Sequence, residues 1–302
     1  MMKTLPIILL CCFAACTIFS FTHTNIPGGR PALRTIIIDA GHGGRDRGAH
    51  GEYSFEKDIC LDIALKLGKN LETTFPDIKI LYTRTTDIYP EIKARADFAN
   101  SNHGDLFISI HVNAGPRIRH SKFTGYRNQT FYTGRGRKRK KVTRRVAKYN
   151  IYYTDNPSNG TETYIWAADR TDEKEKFIGE DVNTTEQIID STEEYVPDLN
   201  DPEFKAKALL WTKRYFDKSY LLASFVEESF IGQGRFSRGV KQRNEKGIWV
   251  LQATSMPSIL VETGFITYKS DEDYLNSEKG QEEIAANVLD AVKKYRHATE
   301  GK

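Results

Sequence analysis

Apolar positions in this chain fall into two kinds of run, and the two kinds alternate. Short stretches rich in β-branched residues at Thr35–Ala40, Ile78–Thr83, Leu106–Ile110, Thr161–Trp166, Ile248–Gln252 and Ser258–Val261 have the length and composition of buried strands. Between them lie segments whose apolar positions recur every three or four residues. In Glu56–Thr74 these are Ile59, Cys60, Ile63, Ala64, Leu67 and Leu71, one face of a helix that Pro76 terminates. Glu91–Ser101 predicts a second helix. Glu282–Tyr295 predicts a last one, with Ile284, Val288, Ala291, Val292 and Tyr295 on one side. Strands alternating with helices predict an α/β sandwich around a mostly parallel sheet.

Two stretches break the rhythm. Residues 115–160 are strongly basic, with Arg135, Arg137, Lys138, Arg139, Lys140 and Lys141 close together and tyrosines interspersed. Residues 169–234 begin acidic, from Asp172 through Glu203, and then take on helical apolar spacing around Ala206–Phe225.

Length and composition bound the rest. The 302 residues suit one large domain with insertions, and an apolar fraction of 39% supports a core. Lys3 followed by an apolar run from Leu5 to Ala15 reads as a secretory leader, too short for a membrane span of about 20 residues. The expected organisation is a leader over 1–22, a linker over 23–33 and a single domain over 34–297, in a protein exported to the periplasm or cell envelope. Phe13-Ala14-Ala15-Cys16 is similar to a lipoprotein cleavage box, so lipidation of Cys16 competes with plain cleavage. Three of the four cysteines lie in the leader. Cys60 alone remains in the body, which excludes internal disulfides and a thiolate metal site.

The chemistry sits at strand ends. His42 follows Thr35–Ala40, His111 follows Leu106–Ile110, and Glu262 follows Ser258–Val261. Carboxyl ends of parallel strands meet along one edge of an open α/β sheet, where such folds place their sites. Catalytic zinc takes three protein ligands and keeps one position open. His42 and His111 supply two. Glu56 is the best third, because the helix it begins returns antiparallel to the first strand and its spacing to Cys60 turns it inward. Glu52 competes from the loop. Glu262 is then the carboxylate that takes the proton from water and passes it to the leaving nitrogen. Taken singly, each residue has a plainer reading as a surface histidine, a helix-start charge or a strand-end carboxylate; it is their joint placement that argues for a metal-assisted hydrolase. His50, His103 and His120 lack such placement.

These segments also carry a resemblance. Asp39-Ala-Gly-His42-Gly-Gly, Glu56-Lys-Asp, Ser109-Ile-His111-Val-Asn-Ala and Val261-Glu262-Thr-Gly-Phe-Ile resemble, in order, the zinc-dependent N-acetylmuramoyl-L-alanine amidases (the amidase-3 family). Thr83-Arg84-Thr85-Thr86-Asp87, Arg95-Ala-Asp-Phe-Ala-Asn100, Arg238-Gly-Val-Lys-Gln242 and Met256-Pro-Ser258 are similar too. The resemblance implies a three-layer α/β sandwich with a twisted sheet, like zinc exopeptidases. It implies Zn2+ as cofactor, with His42, Glu56 and His111 as its ligands and Glu262 as the catalytic glutamate. It further implies cleavage of the amide between N-acetylmuramic acid and L-alanine in peptidoglycan, for wall remodelling or daughter-cell separation. The rivals are an inactive peptidoglycan-binding or regulatory protein on the same scaffold and another zinc peptidase of the envelope. Tyr268 and Arg47 depart from residues common in the family, Asn and Pro respectively.

Two partners follow as expectations. The 169–234 stretch stands where some members of the family carry a regulatory helix. A carboxylate such as Glu186 could fill the open metal position until an activator protein removes it; the plainer reading is a helical excursion packed on the body. The 135–148 basic stretch is expected either to bind an anionic envelope polymer or to be a solvated mobile loop. Nucleic acid is not expected as a partner of an exported protein.

Overall fold

The computed structural model describes residues 33–168, 174, 177–178 and 202–301. The leader, Cys16, Glu186 and most of the acidic half of 169–234 lie outside the described residues. The compact unit runs from Leu33 to the C-terminus.

Its core is a six-stranded sheet. In chain order the strands are β1 (Thr35–Ala40), β2 (Lys79–Tyr82), β3 (Leu106–Asn113), β6 (Thr161–Ile165), β7 (Ser237–Gln242) and β8 (Ser258–Phe265), arranged in space as β2-β1-β3-β8-β6-β7. All neighbours are parallel except β6 against β8. The helices are α1 (Glu56–Thr74), α2 (Ile92–Ser101), α3 (Pro202–Gly232), α4 (Trp249–Ala253), α5 (Lys269–Leu275) and α6 (Glu278–Glu300).

Strand alternation divides the core into two. Ile36, Ile38, Ile108, Ile110, Ile259 and Val261 face a thick layer built from α1, α3 and α6. Ile37, Phe107 and Leu260 face a thinner layer with α2 and α4. Asp39, Ser109, His111 and Glu262 share the alternation of this second set, so the polar chemistry emerges beside the thinner layer, at the carboxyl ends of β1, β3 and β8. Among the described residues no helix is long and apolar enough to cross a membrane.

Two expectations need correcting. Ile248–Gln252 is not a strand; Trp249–Ala253 is a short helix whose Val250, Leu251, Gln252 and Ala253 are all buried. A brief apolar run fits a buried helical turn as well as a strand. The sheet position goes instead to β7, an edge strand of half-exposed residues with no apolar alternation to reveal it. The 115–160 stretch is not an irregular loop. It folds into a two-stranded antiparallel ribbon of β4 (Ile118–Thr133) and β5 (Lys140–Thr154), with a bulge at Gly125 where φ is 122°. Its strands carry mixed polar and aromatic residues on both exposed faces, so no single apolar period marks them. The second half of 169–234 is a helix packed on the body, as its apolar spacing predicts: Leu222, Ala223, Val226 and Phe230 of α3 are fully buried in the main core.

Candidate metal centre and catalytic cleft

His42 sits two residues beyond β1, in a loop of glycines, with φ of 58°. A non-glycine residue held in the left-handed region is strained by about 1–3 kcal/mol, and the surroundings explain why it stays. Arg95 donates to the His42 carbonyl at 2.6 Å and to the Ala40 carbonyl at 2.7 Å. Arg84 donates to the Gly41 carbonyl at 2.7 Å. These two arginines belong to the supporting motifs, and their task is to hold the His42 loop.

Arg95 has an anionic partner below the loop. Its guanidinium meets the Asp39 carboxylate at 2.6 Å, and Thr83 and Ser109 donate to that carboxylate at 2.6 Å each. Burial works against the Asp39 charge, but Arg95 and the hydroxyls outweigh it and hold the carboxyl below its usual range. Arg95→Met therefore strands a buried anion, and unfolding free energy should fall by about 3–5 kcal/mol. Urea denaturation checks this, and pairing the change with Asp39→Asn should recover part of the loss.

Glu56 opens α1 and is only 4% exposed. Its Oε1 lies 3.1 Å from His42 Nε2 and 2.9 Å from His111 Nδ1, and accepts the Val112 amide at 3.1 Å. Its Oε2 accepts the Ala49 amide at 2.7 Å. The imidazole rings meet edge-on, with centres 4.9 Å apart. One ligand atom from each of His42, Glu56 and His111 falls within a 4.8 Å circle. The structure thus brings all three expected ligands together; Glu52 instead has a largely exposed carboxylate that approaches Lys269 at 3.7 Å.

The donor set suits zinc, with two borderline imidazoles and one carboxylate on a rigid frame. His42 Nδ1 is held by Asp46 Oδ2 at 2.8 Å, the kind of outer hydrogen bond that would fix the ring if it bound a metal. Space is reserved as well. A Cβ on Gly41 would stand 2.5 Å from the His111 ring, and one on Gly48 would stand 2.6 Å from Glu56 Oε2. The three groups also compensate one another electrostatically. Burial disfavours charge on His42, yet the hydrogen bonds and charges of Glu56 and Asp46 prevail and raise it to about 9. Burial likewise opposes the Glu56 anion, and the two imidazoles reverse that, holding its carboxyl well below the usual range.

Glu262 pairs with His111 across β3 and β8. It is 8% exposed, and its Oε2 is buried with no hydrogen-bond partner among the described residues. Burial raises its carboxyl to about 7, against which the nearby His111 charge is a lesser effect. A buried, unpartnered carboxylate destabilises a fold, and such groups concentrate where chemistry needs them. His42, Glu56, His111 and Glu262 line one cleft of about 440 Å³, with Asn113, Arg243 and Trp249 on its walls.

Comparison with known proteins identifies the family. The family model described as N-acetylmuramoyl-L-alanine amidase matches residues 36–294. The chain belongs to the N-acetylmuramoyl-L-alanine amidase family. It is 29% identical to the amidase AmiC of Escherichia coli over 269 residues, covering 88% of this chain and 54% of that protein. It thus spans about half the length of AmiC. Bacillus subtilis YqiI is 27% identical over 262 residues, covering 87% of this chain and 84% of that protein. The solved N-acetylmuramoyl-L-alanine amidase of Clostridium difficile 630 superposes with a TM-score of 0.55 at 25% identity, covering 87% of this chain and 96% of that one.

Within the family frame, three features escape a reading by strand ends. Asp46 lies four residues past His42 in the glycine loop, and only the fold turns it back to the ring. Glu162 faces Glu262 across β6 and β8. Burial opposes its charge, but Lys241, Tyr164 and Arg238 hold its carboxyl below the usual range, so a charged row flanks Glu262. Third, Phe177 meets the Trp249 ring edge-on at 6.1 Å, so the 169–234 stretch passes beside the cleft wall. Lys174 anchors it there, fully buried, with Nζ donating to the Leu251 and Met256 carbonyls at 2.7 and 3.1 Å.

Proposed function

We propose that this protein is a zinc-dependent amidase of peptidoglycan, hydrolysing the bond between N-acetylmuramic acid and the L-alanine of the stem peptide. The observation that carries the reading is the convergence of His42, Glu56 and His111 beside Glu262, a buried carboxyl whose Oε2 has no hydrogen-bond partner among the described residues.

His42, Glu56 and His111 would hold the zinc. Bound there, zinc supplies polarisation of the scissile carbonyl and acidification of water. The chain's own residues do the rest. Glu262 removes the proton from the attacking water and delivers it to the leaving L-alanine nitrogen. A pKa raised to about 7 suits a group that must both accept and release a proton near neutrality. Asp46 orients His42, while Arg84 and Arg95 fix the loop that carries it. The cleft walls at Asn113, Arg243 and Trp249 orient the substrate around the amide.

The leader pattern supports export to the periplasm or envelope, with Cys16 as a candidate lipid anchor. The contact of Phe177 with Trp249 supports regulation through the 169–234 stretch by an activator protein.

Metal-dependent solubilisation of purified sacculi tests the reading. Wild-type protein should clear a sacculus suspension, stop when a chelator is added and resume when Zn2+ is restored in excess. Clearing that continues at full rate in chelator would refute the metal's role.

A further inference from the structure

The β4–β5 ribbon is a long projection of the chain. Its strands pair with each other, and among the described residues they pack extensively on no other element. A lone two-stranded ribbon is marginally stable in water at best. What holds it is cross-strand contact: Phe123 against Tyr149 with ring centres 5.7 Å apart, His120 stacked on Tyr152 at 5.0 Å, and Arg145 over Tyr126 at 4.1 Å.

Its surface chemistry is lopsided. From Arg117 to Thr154 there is no Asp or Glu, while Lys and Arg recur throughout. Among the described residues the cations have almost no counter-charge; the carboxylate at the base, Asp155, meets Arg117 at 3.2 Å. Tyr126, Tyr132, Tyr149 and Tyr153 are each at least half exposed. Repulsion among unpaired cations and wetting of aromatic rings both disfavour the free ribbon, and both are relieved by an anionic partner with faces for stacking.

Register assigns the residues to faces. Phe123, Tyr126, Tyr149 and Arg145 share one, whereas Lys122, Arg127, Phe131, Arg144, Lys148 and Tyr152 share the other. Both faces therefore mix rings with cations, and the turn Gly134–Arg139 has no apolar residue. An element built to lie on a bilayer confines its apolar side chains to one face, which this ribbon does not do. The ribbon suits a partner that can contact it from both sides.

Its position identifies that partner. Asn113 and Ala114 line the catalytic cleft; the next residues, Gly115 and Arg117, line an adjoining hollow of about 620 Å³ with His50, Asn156, Tyr268 and Lys269; the ribbon begins at Ile118. Gly115 N donates to Thr267 Oγ1 at 2.9 Å and Asn156 Nδ2 to the Pro116 carbonyl at 3.1 Å, fixing the base. We infer that the ribbon is an arm that grips the polymeric wall next to the scissile bond, its rings stacking on sugar faces and its cations pairing with free carboxylates of the stem peptides. This rests on the peptidoglycan reading above. At roughly 3.3 Å per residue the arm reaches about 50 Å from the cleft, beyond any single stem peptide.

The test separates gripping from catalysis. Two full-length variants are compared with wild type: Lys122→Gln/Arg127→Gln/Arg144→Gln/Lys148→Gln, and Tyr132→Ser/Tyr153→Ser, neither of which removes the Phe123–Tyr149, His120–Tyr152 or Arg145–Tyr126 contacts. Each is assayed for co-sedimentation with purified sacculi, for hydrolysis of a soluble monomeric muropeptide too small to reach the ribbon, and for binding to 7:3 phosphatidylcholine:phosphatidylglycerol vesicles. Sacculus retention should fall about tenfold or more in both variants, with muropeptide turnover unchanged. Thermal unfolding of the body should not move, since the ribbon packs so little against it. Unchanged sacculus retention would overturn the inference, as would a loss confined to vesicle binding. Failure of Zn2+-loaded protein to cleave the muropeptide, both intact and with residues 179–200 deleted, would defeat the amidase reading instead, and sedimentation would still report on the arm.

Discussion

Glu262→Gln will remove amide hydrolysis while leaving the metal bound. The substitution keeps the shape of the side chain and loses its ability to take a proton, so turnover should fall by about 10²–10⁴-fold. Zinc stoichiometry should be unchanged, because the three proposed ligands lie on other elements. The same change should stabilise the metal-free fold, and the sign follows from the shift. Folding raises the Glu262 carboxyl from an ordinary 4.5 to about 7, chiefly by burial. A group raised in this way favours the fold while protonated. That contribution is complete below the ordinary value and lost as pH rises through about 7. At pH 8 the wild type carries a buried, unpaired charge that the glutamine lacks. The difference is on the order of 3 kcal/mol in favour of the variant, shrinking towards pH 4.5. Turnover assays together with urea denaturation in chelator at pH 5 and pH 8 check both halves. Full activity in the variant, or equal stabilities at pH 8, would refute the role assigned to Glu262.

Glu56→Ala should have the opposite signature, with metal and activity lost together. Glu56 Oε1 is the atom on which both imidazoles converge, at 3.1 and 2.9 Å. Removing an outer partner of a metal ligand weakens binding by about 10–100-fold, and removal of a ligand should exceed that. Asp46→Ala, which frees only His42 Nδ1, supplies the milder case for comparison. Calorimetric titration with Zn2+ should rank wild type first, Asp46→Ala next and Glu56→Ala last. Zinc affinity of Glu56→Ala equal to that of wild type would remove Glu56 from the ligand set.

The two predictions rest on residues of unequal legibility. His42, His111 and Glu262 could be placed from sequence because each ends a short β-branched run, and parallel strands bring such ends to one edge. Glu56 could be placed because a helix following the first strand must return over that edge. The cleft's supporting groups were less visible. Asp46 acts through a loop whose course depends on glycines with positive φ, and Glu162 meets Glu262 only because β6 runs antiparallel to β8. Apolar periodicity failed where it was not the organising force. β7 is an edge strand with little to bury, α4 is too short to display a period, and the β4–β5 ribbon is held by pairing and ring contacts instead of a core. The fold class was readable because its central strands are buried on both faces, and that burial writes itself into composition.

Mass spectrometry of the material released from purified sacculi tests the central claim most directly. Wild-type protein loaded with Zn2+ should release stem peptides that begin with a free L-alanine amine and leave glycan strands bearing intact lactyl carboxyls. Fragments cut within the stem peptide, or glycan released with its peptides still attached, would contradict it.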